Sequence, residues 1–116
     1  MTATLPGIAA DYIRATNNHD PAAFIACFAE SAVVNDAGSE FRGSDAIKAW
    51  SDHDIMAALV TLEVLEVADH DGKVTITTKV DGNFDRTGLP DPVIIDHHIT
   101  VVGDKIVGLQ CRLAGE

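Results

Sequence analysis

The feature that most constrains the fold is a change of hydrophobic period near residue 58. Before this point, apolar residues recur three and four positions apart, which is typical of amphipathic helices. After it, apolar and polar residues alternate, and the two-residue turn signals Asp71-Gly72 and Gly103-Asp104 separate the alternating runs. Strands that follow a helical segment and are joined by hairpins indicate an α+β fold, with helices packed on one face of a curved, mostly antiparallel sheet.

The helical part divides into three segments. Residues about 4–18 carry an apolar stripe that includes Tyr12, and Asp20-Pro21 suits the N-cap and first turn of a second helix, with Phe28 on its buried side. Ser44 is expected to cap a third helix, whose apolar side includes Trp50. The strands are predicted over residues 32–36, 60–68, 73–80, 93–102 and 105–113. Such a sheet can close over the helices as a cone with an internal pocket.

The strand over 93–102 is apolar for most of its length but carries a carboxylate, Asp96, in its middle. Alternation places Asp96 and His98 on one face and His97 on the other. A buried aspartate usually has a raised pKa, and a protonated Asp96 on a cavity wall could donate a hydrogen bond to a developing oxyanion. The alternative is an aspartate on a partly solvated face, paired with a neighbouring histidine. Apolar residues on both faces favour a covered outer face, and a second subunit would make a homodimer.

Composition limits the classes of partner. The 116 residues are enough for one domain, expected to span 1–116, and the net charge of −10 argues against nucleic acid and anionic membranes. No apolar run approaches a membrane span, and the N-terminus lacks the pattern of a signal peptide. The unpatterned Cys27 and Cys111 are expected to be reduced thiols of a cytoplasmic protein. No phosphate-binding loop is visible, so no cofactor is expected.

Three polar side chains lie on elements that should converge in such a cone: Tyr12, Asp36 and Asp96. Two carboxylates and a phenol can move a proton next to a carbonyl group, because one ionised carboxylate takes the proton while the phenol and a neutral acid stabilise the oxyanion. Periodicity alone does not bring the three together.

Several segments resemble the ketosteroid isomerases (steroid Δ5-isomerases) of the SnoaL-like, NTF2-like superfamily. The similar segments are Asp11-Tyr12-Ile13, Asn17 to Asp20, Cys27 to Asp36, Gly38 to Ile47, the step Ile95-Asp96-His97, and Gly103 to Glu116. Residues about 51–92 match only in hydrophobic pattern. The resemblance implies an NTF2-like cone that shifts a carbon–carbon double bond into conjugation with a ketone. Asp36 would be the base, and Tyr12 and a neutral Asp96 would bind the enolate oxygen.

The resemblance also implies a pocket for a small apolar ketone, a steroid among the candidates. We expect its lining to be Phe28, Trp50, Ile76, Thr78, Val80, His98, Leu109 and Cys111. His98 stands where the family usually has an aromatic residue, so the pocket is less aromatic than a steroid would favour. No metal is expected, because the adjacent His97 and His98 point to opposite faces. The alternatives are a polyketide-cyclase-like SnoaL enzyme and a non-catalytic module that binds a small apolar ligand.

Overall fold

The computed structural model describes residues 7–85 and 87–114. The helices are α1 (Gly7–Asn17), α2 (Pro21–Ala26) and α3 (Ser44–Ser51), and a π-helical turn (Asp52–Met56) continues α3. The strands are β1 (Phe28–Asp36), β2 (Ser39–Arg42), β3 (Thr61–His70), β4 (Lys73–Asp81), β5 (Val93–Val102) and β6 (Lys105–Leu113).

The six strands form one sheet in the order β2-β1-β6-β5-β4-β3. Neighbouring strands are antiparallel except β1 and β6, which run parallel and make the sheet mixed. The three helices pack on one face of this sheet, so the predicted α+β architecture is confirmed. The core lies between them, and its largest fully buried side chains include Tyr12, Phe24, Ile47, Ile76, Ile99 and Ile106. No helix within the described ranges is long and apolar enough to cross a membrane.

Helix ends follow the local sequence with two differences from expectation. Asp20 caps α2 as predicted, since its side-chain oxygen accepts a hydrogen bond from the Ala23 amide at 3.1 Å. The predicted place of Phe28 on α2 is wrong, because the helix ends at Ala26 and Phe28 begins β1. The predicted N-cap Ser44 is the first residue of α3, and Gly43 precedes it with φ 84°. Glycine suits this position because a positive φ strains residues that carry a Cβ atom.

Both predicted hairpins form. Asp71 and Gly72 have φ values of 51° and 79°, as a type I′ turn requires, and Gly103 has φ 63° at the first turn position between β5 and β6. Pairing starts with Val102 opposite Lys105. These turns set the starting register of each strand pair.

A β-bulge then shifts the register of the β5–β6 pair by one residue. Val101 lies opposite Ile106, but Thr100 lies opposite Gly108, so Val107 is left out of the pairing. Beyond the bulge, His97 is opposite Cys111 and Asp96 is opposite Arg112. An unbroken hairpin would have paired Asp96 with Cys111. Because directly opposed residues share a face of the sheet, the bulge puts His97, and not Asp96, beside Cys111.

Candidate functional site

A cavity of about 870 Å³ lies between the helices and the inner face of the sheet. Asp36, Cys111 and His97 are lateral neighbours on β1, β6 and β5, and all three border the cavity. Tyr12 reaches the same space from α1. Apolar and aromatic residues make much of the remaining wall, including Trp50, Ile55, Leu62, Val80, Phe84, Val93 and Ile95. The site therefore combines a few polar groups with a mainly apolar surround, as small-molecule pockets do.

Asp36 is a half-buried carboxylate at the end of β1. The Trp50 indole N–H donates a hydrogen bond to its Oδ2 atom at 3.0 Å. Burial raises the pKa of Asp36, the Trp50 hydrogen bond opposes that rise, and the nearby charge of Asp54 adds to it. A carboxylate with a raised pKa is a stronger base than an ordinary aspartate, and here it faces a cavity that can hold a substrate.

Tyr12, His97 and Thr78 form a hydrogen-bonded chain under the cavity. The Tyr12 hydroxyl is 2.9 Å from His97 Nδ1, and His97 Nε2 is 2.9 Å from Thr78 Oγ1. Tyr12, His97 and Thr78 are 1%, 5% and 0% exposed. Burial lowers the pKa of His97 to about 4, so the imidazole is neutral near pH 7. Burial raises the pKa of Tyr12 well above its ordinary value, so the phenol keeps its proton.

Cys111 completes the polar part of the inner face. Its sulfur is 3.9 Å from His97 Nδ1. Burial raises the pKa of the Cys111 thiol, and the charge of Asp36 raises it further. The thiol is therefore protonated at neutral pH and acts as a small, weakly polar part of the wall.

Asp96 does not lie in the cavity, and the prediction that it faces Tyr12 across a dry hollow is wrong. It lies on the outer face of β5, where Thr77 donates a hydrogen bond to its Oδ1 atom at 2.6 Å. Arg112 is its cross-strand neighbour on β6. The alternative, a partly solvated aspartate, was correct about exposure, but the hydrogen-bond partner is Thr77. The alternation of β5 explains the orientation, because His97 shares a face with the core residues Ile95 and Ile99, and Asp96 points to the other side.

The predicted pocket residues divide into three groups. Trp50, Val80 and Cys111 border the cavity. His98 is exposed on the outer face, where its Nδ1 is 3.2 Å from Thr75 Oγ1, so its predicted place in the pocket is wrong. The other four lie in the packed core instead of at the cavity wall, and they are Phe28, Ile76, Thr78 and Leu109.

Three titratable side chains at the cavity were not predicted from the sequence: His97, Asp54 and Arg112. Asp54 lies on the π-helical turn that follows α3, and nothing in the sequence predicted this turn. For His97 a signal existed, because it shares a face of β5 with Ile95 and Ile99, which flank it in the core. Within residues 7–85 and 87–114, no three His, Cys, Asp or Glu side chains are grouped so that they could hold a metal ion.

Several solved structures share this fold. A proposed polyketide cyclase of Sinorhizobium meliloti, protein SMa1630, is 30% identical, with a TM-score of 0.83 over 93% of this chain and 95% of its own. A Catenulispora acidiphila protein of ketosteroid isomerase-like fold, solved with trimethylamine, is 23% identical, with a TM-score of 0.79 over 94% and 86% of the two chains. RV0760c of Mycobacterium tuberculosis, in complex with estradiol-17β-hemisuccinate, is 20% identical, with a TM-score of 0.75 over 90% and 88%.

No protein with a curated description matches the chain significantly in sequence. The SnoaL-like domain, in contrast, matches residues 9–109, which include Tyr12, Asp36 and the whole of β5. The match covers most of the residues that border the cavity, although Cys111 and its neighbours on β6 lie beyond its end, and the structural neighbours have the same cone. The chain therefore belongs to the family of SnoaL-like domains, and it has the NTF2-like fold.

Proposed function

We propose that this protein is an acid–base enzyme that moves a proton at a carbon next to the carbonyl group of a small apolar ketone. The observation that carries the proposal is the placement of Asp36, half-buried and held by Trp50, in the same cavity as the Tyr12 hydroxyl. Asp36 is the base, and Tyr12 is the donor to the carbonyl oxygen. Asp96 has no part in this scheme.

The favoured reaction is the migration of a double bond into conjugation. Asp36 removes a proton from the carbon between the alkene and the ketone, and the electron pair of that bond moves toward the carbonyl oxygen. The resulting enolate is stabilised by hydrogen bonding to Tyr12, and the same proton returns from Asp36 to the far carbon of the former alkene. The proton is conserved, so the reaction as proposed needs no cofactor.

The cavity supports a ligand of steroid size. Its volume, about 870 Å³, lies in the upper part of the usual range for small-molecule pockets. A protein of the same fold has been crystallised with an estradiol derivative, which supports a steroid as the first test substrate. The carboxylates Asp36 and Asp54 border the cavity together with the cationic side chain of Arg112, and the buried His97 imidazole is neutral. The described residues of the site therefore carry no excess of positive charge that would favour an anionic ligand over a neutral ketone.

A second candidate is ring closure of a linear polyketide. The 30% identity to a proposed polyketide cyclase favours it. The first step would be the same, since Asp36 would take a proton from a carbon next to a carbonyl group. The carbanion would then attack a second carbonyl carbon of the same chain, breaking the π bond of that carbonyl. The resulting alkoxide oxygen would take the proton from Asp36.

The deciding experiment compares wild type with two Asp→Asn variants in an enone assay. A β,γ-unsaturated ketosteroid gains ultraviolet absorbance when its double bond becomes conjugated. We expect wild type to catalyse this change and Asp36→Asn to slow it by about a hundred- to ten-thousandfold while ligand binding survives. Asp96→Asn, the same chemical change on the outer face, should leave turnover close to wild type.

Other outcomes identify the alternatives. A steroid that binds without any absorbance change, equally in wild type and Asp36→Asn, would indicate the non-catalytic binding module. Turnover of a linear polyketide, with no reaction of the steroid, would indicate the cyclase. Equal loss of activity in both Asp→Asn variants would contradict the assignment of the base to the inner face.

We also propose that the protein is a cytoplasmic homodimer formed through the outer face of the sheet. Both cysteines are free, as expected in a reducing compartment. On the outer face, Ile94 and Thr100 are only half-buried and Val102 is 64% exposed, so a partner would cover apolar surface there. Light scattering after size exclusion at micromolar concentration should give twice the chain mass, and a monomer mass would contradict the proposal.

A further inference from the structure

The buried chain Tyr12–His97–Thr78 can direct its hydrogen bonds either way. Each link is 2.9 Å long, and each joins a group that can donate to one that can accept. Thr78 Oγ1 also has a second acceptor within reach, the carbonyl oxygen of Ile95 at 3.4 Å. No buried side-chain nitrogen or oxygen in the described part of the chain lacks a partner. The distances alone therefore fit two complete arrangements of protons.

In the first arrangement the protons point away from the cavity. Tyr12 donates to His97 Nδ1, the protonated Nε2 of His97 donates to Thr78, and Thr78 donates to the Ile95 carbonyl oxygen. All donors are used inside the protein. The Tyr12 oxygen then presents only lone pairs to the cavity, so a ketone oxygen would meet an acceptor instead of a donor.

In the second arrangement the protons point toward the cavity. Thr78 donates to an unprotonated Nε2 of His97, the protonated Nδ1 of His97 donates to the Tyr12 oxygen, and the Tyr12 hydroxyl hydrogen is free to bind a ligand. Three donors in series polarise one another, so the Tyr12 hydroxyl becomes a stronger donor than an isolated phenol. In this direction the Tyr12 hydroxyl hydrogen needs an acceptor, and before a ketone binds it has only water and the weakly accepting Cys111 sulfur.

We propose that His97 is a positioning residue that changes tautomer when a carbonyl oxygen binds. Without a ligand, Nε2 carries the proton and Tyr12 donates to His97. With a ketone bound, Nδ1 carries the proton and Tyr12 donates to the ketone. The proton count does not change, because Nε2 loses one proton and Nδ1 gains one. Nε2 contacts the buried Thr78 and not the cavity, so this exchange with water takes place when the buried chain opens transiently.

Three observations make His97 suited to this exchange. Its imidazole is neutral at physiological pH, because burial lowers its pKa to about 4, so one nitrogen is protonated and the other is an acceptor. Both nitrogens have a hydroxyl partner that can donate or accept. Both arrangements satisfy the protein's buried polar groups once a ligand is present, so the ligand needs only a small difference in affinity to select one of them.

The inference rests on the proposed function only in requiring that a ketone oxygen reach Tyr12. It does not depend on turnover. The test therefore uses two conjugated ketones, testosterone and 2-cyclohexen-1-one, which are already in the form that the isomerase reaction would produce. Binding is followed by the indole N–H signal of Trp50, the single tryptophan, which borders the cavity.

The measurement is the nitrogen-15 NMR spectrum of the His97 imidazole near pH 7, assigned by loss of its signals in His97→Gln. Protonated and unprotonated ring nitrogens have well-separated shifts, so the tautomer is read directly. We expect a protonated Nε2 in the free protein and a protonated Nδ1 once the Trp50 signal shows saturation. The same tautomer in both states would overturn the proposal, as would the absence of any Trp50 change with either ketone.

A matched pair of variants tests the role of Thr78. Thr78→Val removes the acceptor for the Nε2 proton, and a buried N–H without a partner is especially unfavourable. The free Thr78→Val protein should therefore already show the protonated Nδ1. Thr77→Val, on the outer face, should keep the wild-type spectrum. A protonated Nε2 in free Thr78→Val, or a change of tautomer in Thr77→Val, would contradict the proposed chain.

Failure of this inference and failure of the proposed function give different results. If the β,γ-unsaturated ketosteroid is converted but His97 keeps one tautomer, the proposed role of Asp36 as the base is supported and the tautomer exchange is contradicted. If the tautomer changes when a ketone binds but no conjugated product forms, the proposed carbonyl-binding site is supported and the isomerase reaction is contradicted.

Discussion

The two faces of β5 show how one strand can serve two environments with similar residues. On the inner face, His97 is 5% exposed, bonded to Tyr12 and Thr78, and its pKa is lowered to about 4 by burial. On the outer face, Asp96 and His98 pair with the hydroxyls of Thr77 and Thr75. Adjacent polar residues of β5 therefore lie in unlike environments, since pleating sends their side chains to opposite sides of the sheet. Substitutions matched across the two faces can test this contrast.

The largest effect is expected for catalysis. Tyr12→Phe removes the proposed donor to the enolate and should lower kcat/KM in the enone assay by about a hundred- to a thousandfold. Asp96→Ala removes the carboxyl group on the outer face and should change kcat/KM by no more than about twofold. Similar losses of kcat/KM in both variants would contradict the proposal that only the inner face takes part in catalysis.

The next effect is on stability, for the two adjacent histidines. His97→Ala leaves the buried hydroxyls of Tyr12 and Thr78 short of a partner and opens space in the core, so the free energy of unfolding should fall by about 2–4 kcal/mol. His98→Ala, at an exposed position, should change it by about 0.5 kcal/mol or less. Denaturant unfolding at pH 7 measures both. Equal effects would mean that both imidazoles share one environment.

The pH dependence of stability should also differ between His97 on the inner face and His98 on the outer face. The folded-state pKa of His97, about 4, lies below the ordinary 6.5, so unfolding takes up a proton. The contribution of the neutral, buried His97 to the free energy of unfolding is therefore fully present above about pH 6.5. It is lost as the pH falls toward 4, and the total loss is roughly 3 kcal/mol. His97→Gln should lack this loss and His98→Gln should keep it. Unfolding curves at pH 7 and 4.5 give the difference, and parallel behaviour of the two variants would exclude His97 as its source.

The smallest effect is expected on the melting temperature of variants at the two aspartates. Burial raises the pKa of Asp36, so ionisation of this side chain opposes folding above that pKa. Asp36→Asn should therefore raise Tm at pH 7, and the gain should disappear as the pH falls through the Asp36 pKa. Asp96→Asn makes the same change on the outer face and keeps an oxygen that can accept from Thr77, so Tm should stay near the wild-type value. A lower Tm for Asp36→Asn would mean that the Trp50 hydrogen bond outweighs burial.

Most of the fold could be predicted because its signals are local. The bounds of β5 and β6 agree with the predicted 93–102 and 105–113, since tight turns and alternating residues mark them. Two elements have no counterpart among the predicted ones: β2 and the π-helical turn after α3. Neither has a sequence signal of its own. The pairing of β2 with β1 and the wider helical turn are set by contacts made in the folded chain.

The site could be predicted only in part. Tyr12 and Asp36 both border the cavity, where the sequence suggested that they would meet, although their catalytic roles remain proposals. The prediction for Asp96 is wrong because the start of β5, Val93-Ile94-Ile95, has apolar residues on both faces. This segment therefore does not show which face of the strand points inward. On β6, the apolar pattern of Leu109, Cys111 and Leu113 identifies the inward face. This does not identify the inward face of β5 unless the register of the two strands across the hairpin is known.

Local sequence signals are sufficient to predict the order of helices and strands and the positions of both tight hairpins. They also place a phenol and a carboxylate on elements that meet at one end of the sheet. These follow from hydrophobic period and turn chemistry, which act over a few residues. Which side chain of β5 joins them depends on the assembled sheet. Ile99 and Val101 pack into the core, and side chains alternate with a period of two, so His97 and not Asp96 meets Tyr12. The unpaired Val107 then brings Cys111 to the same face from β6.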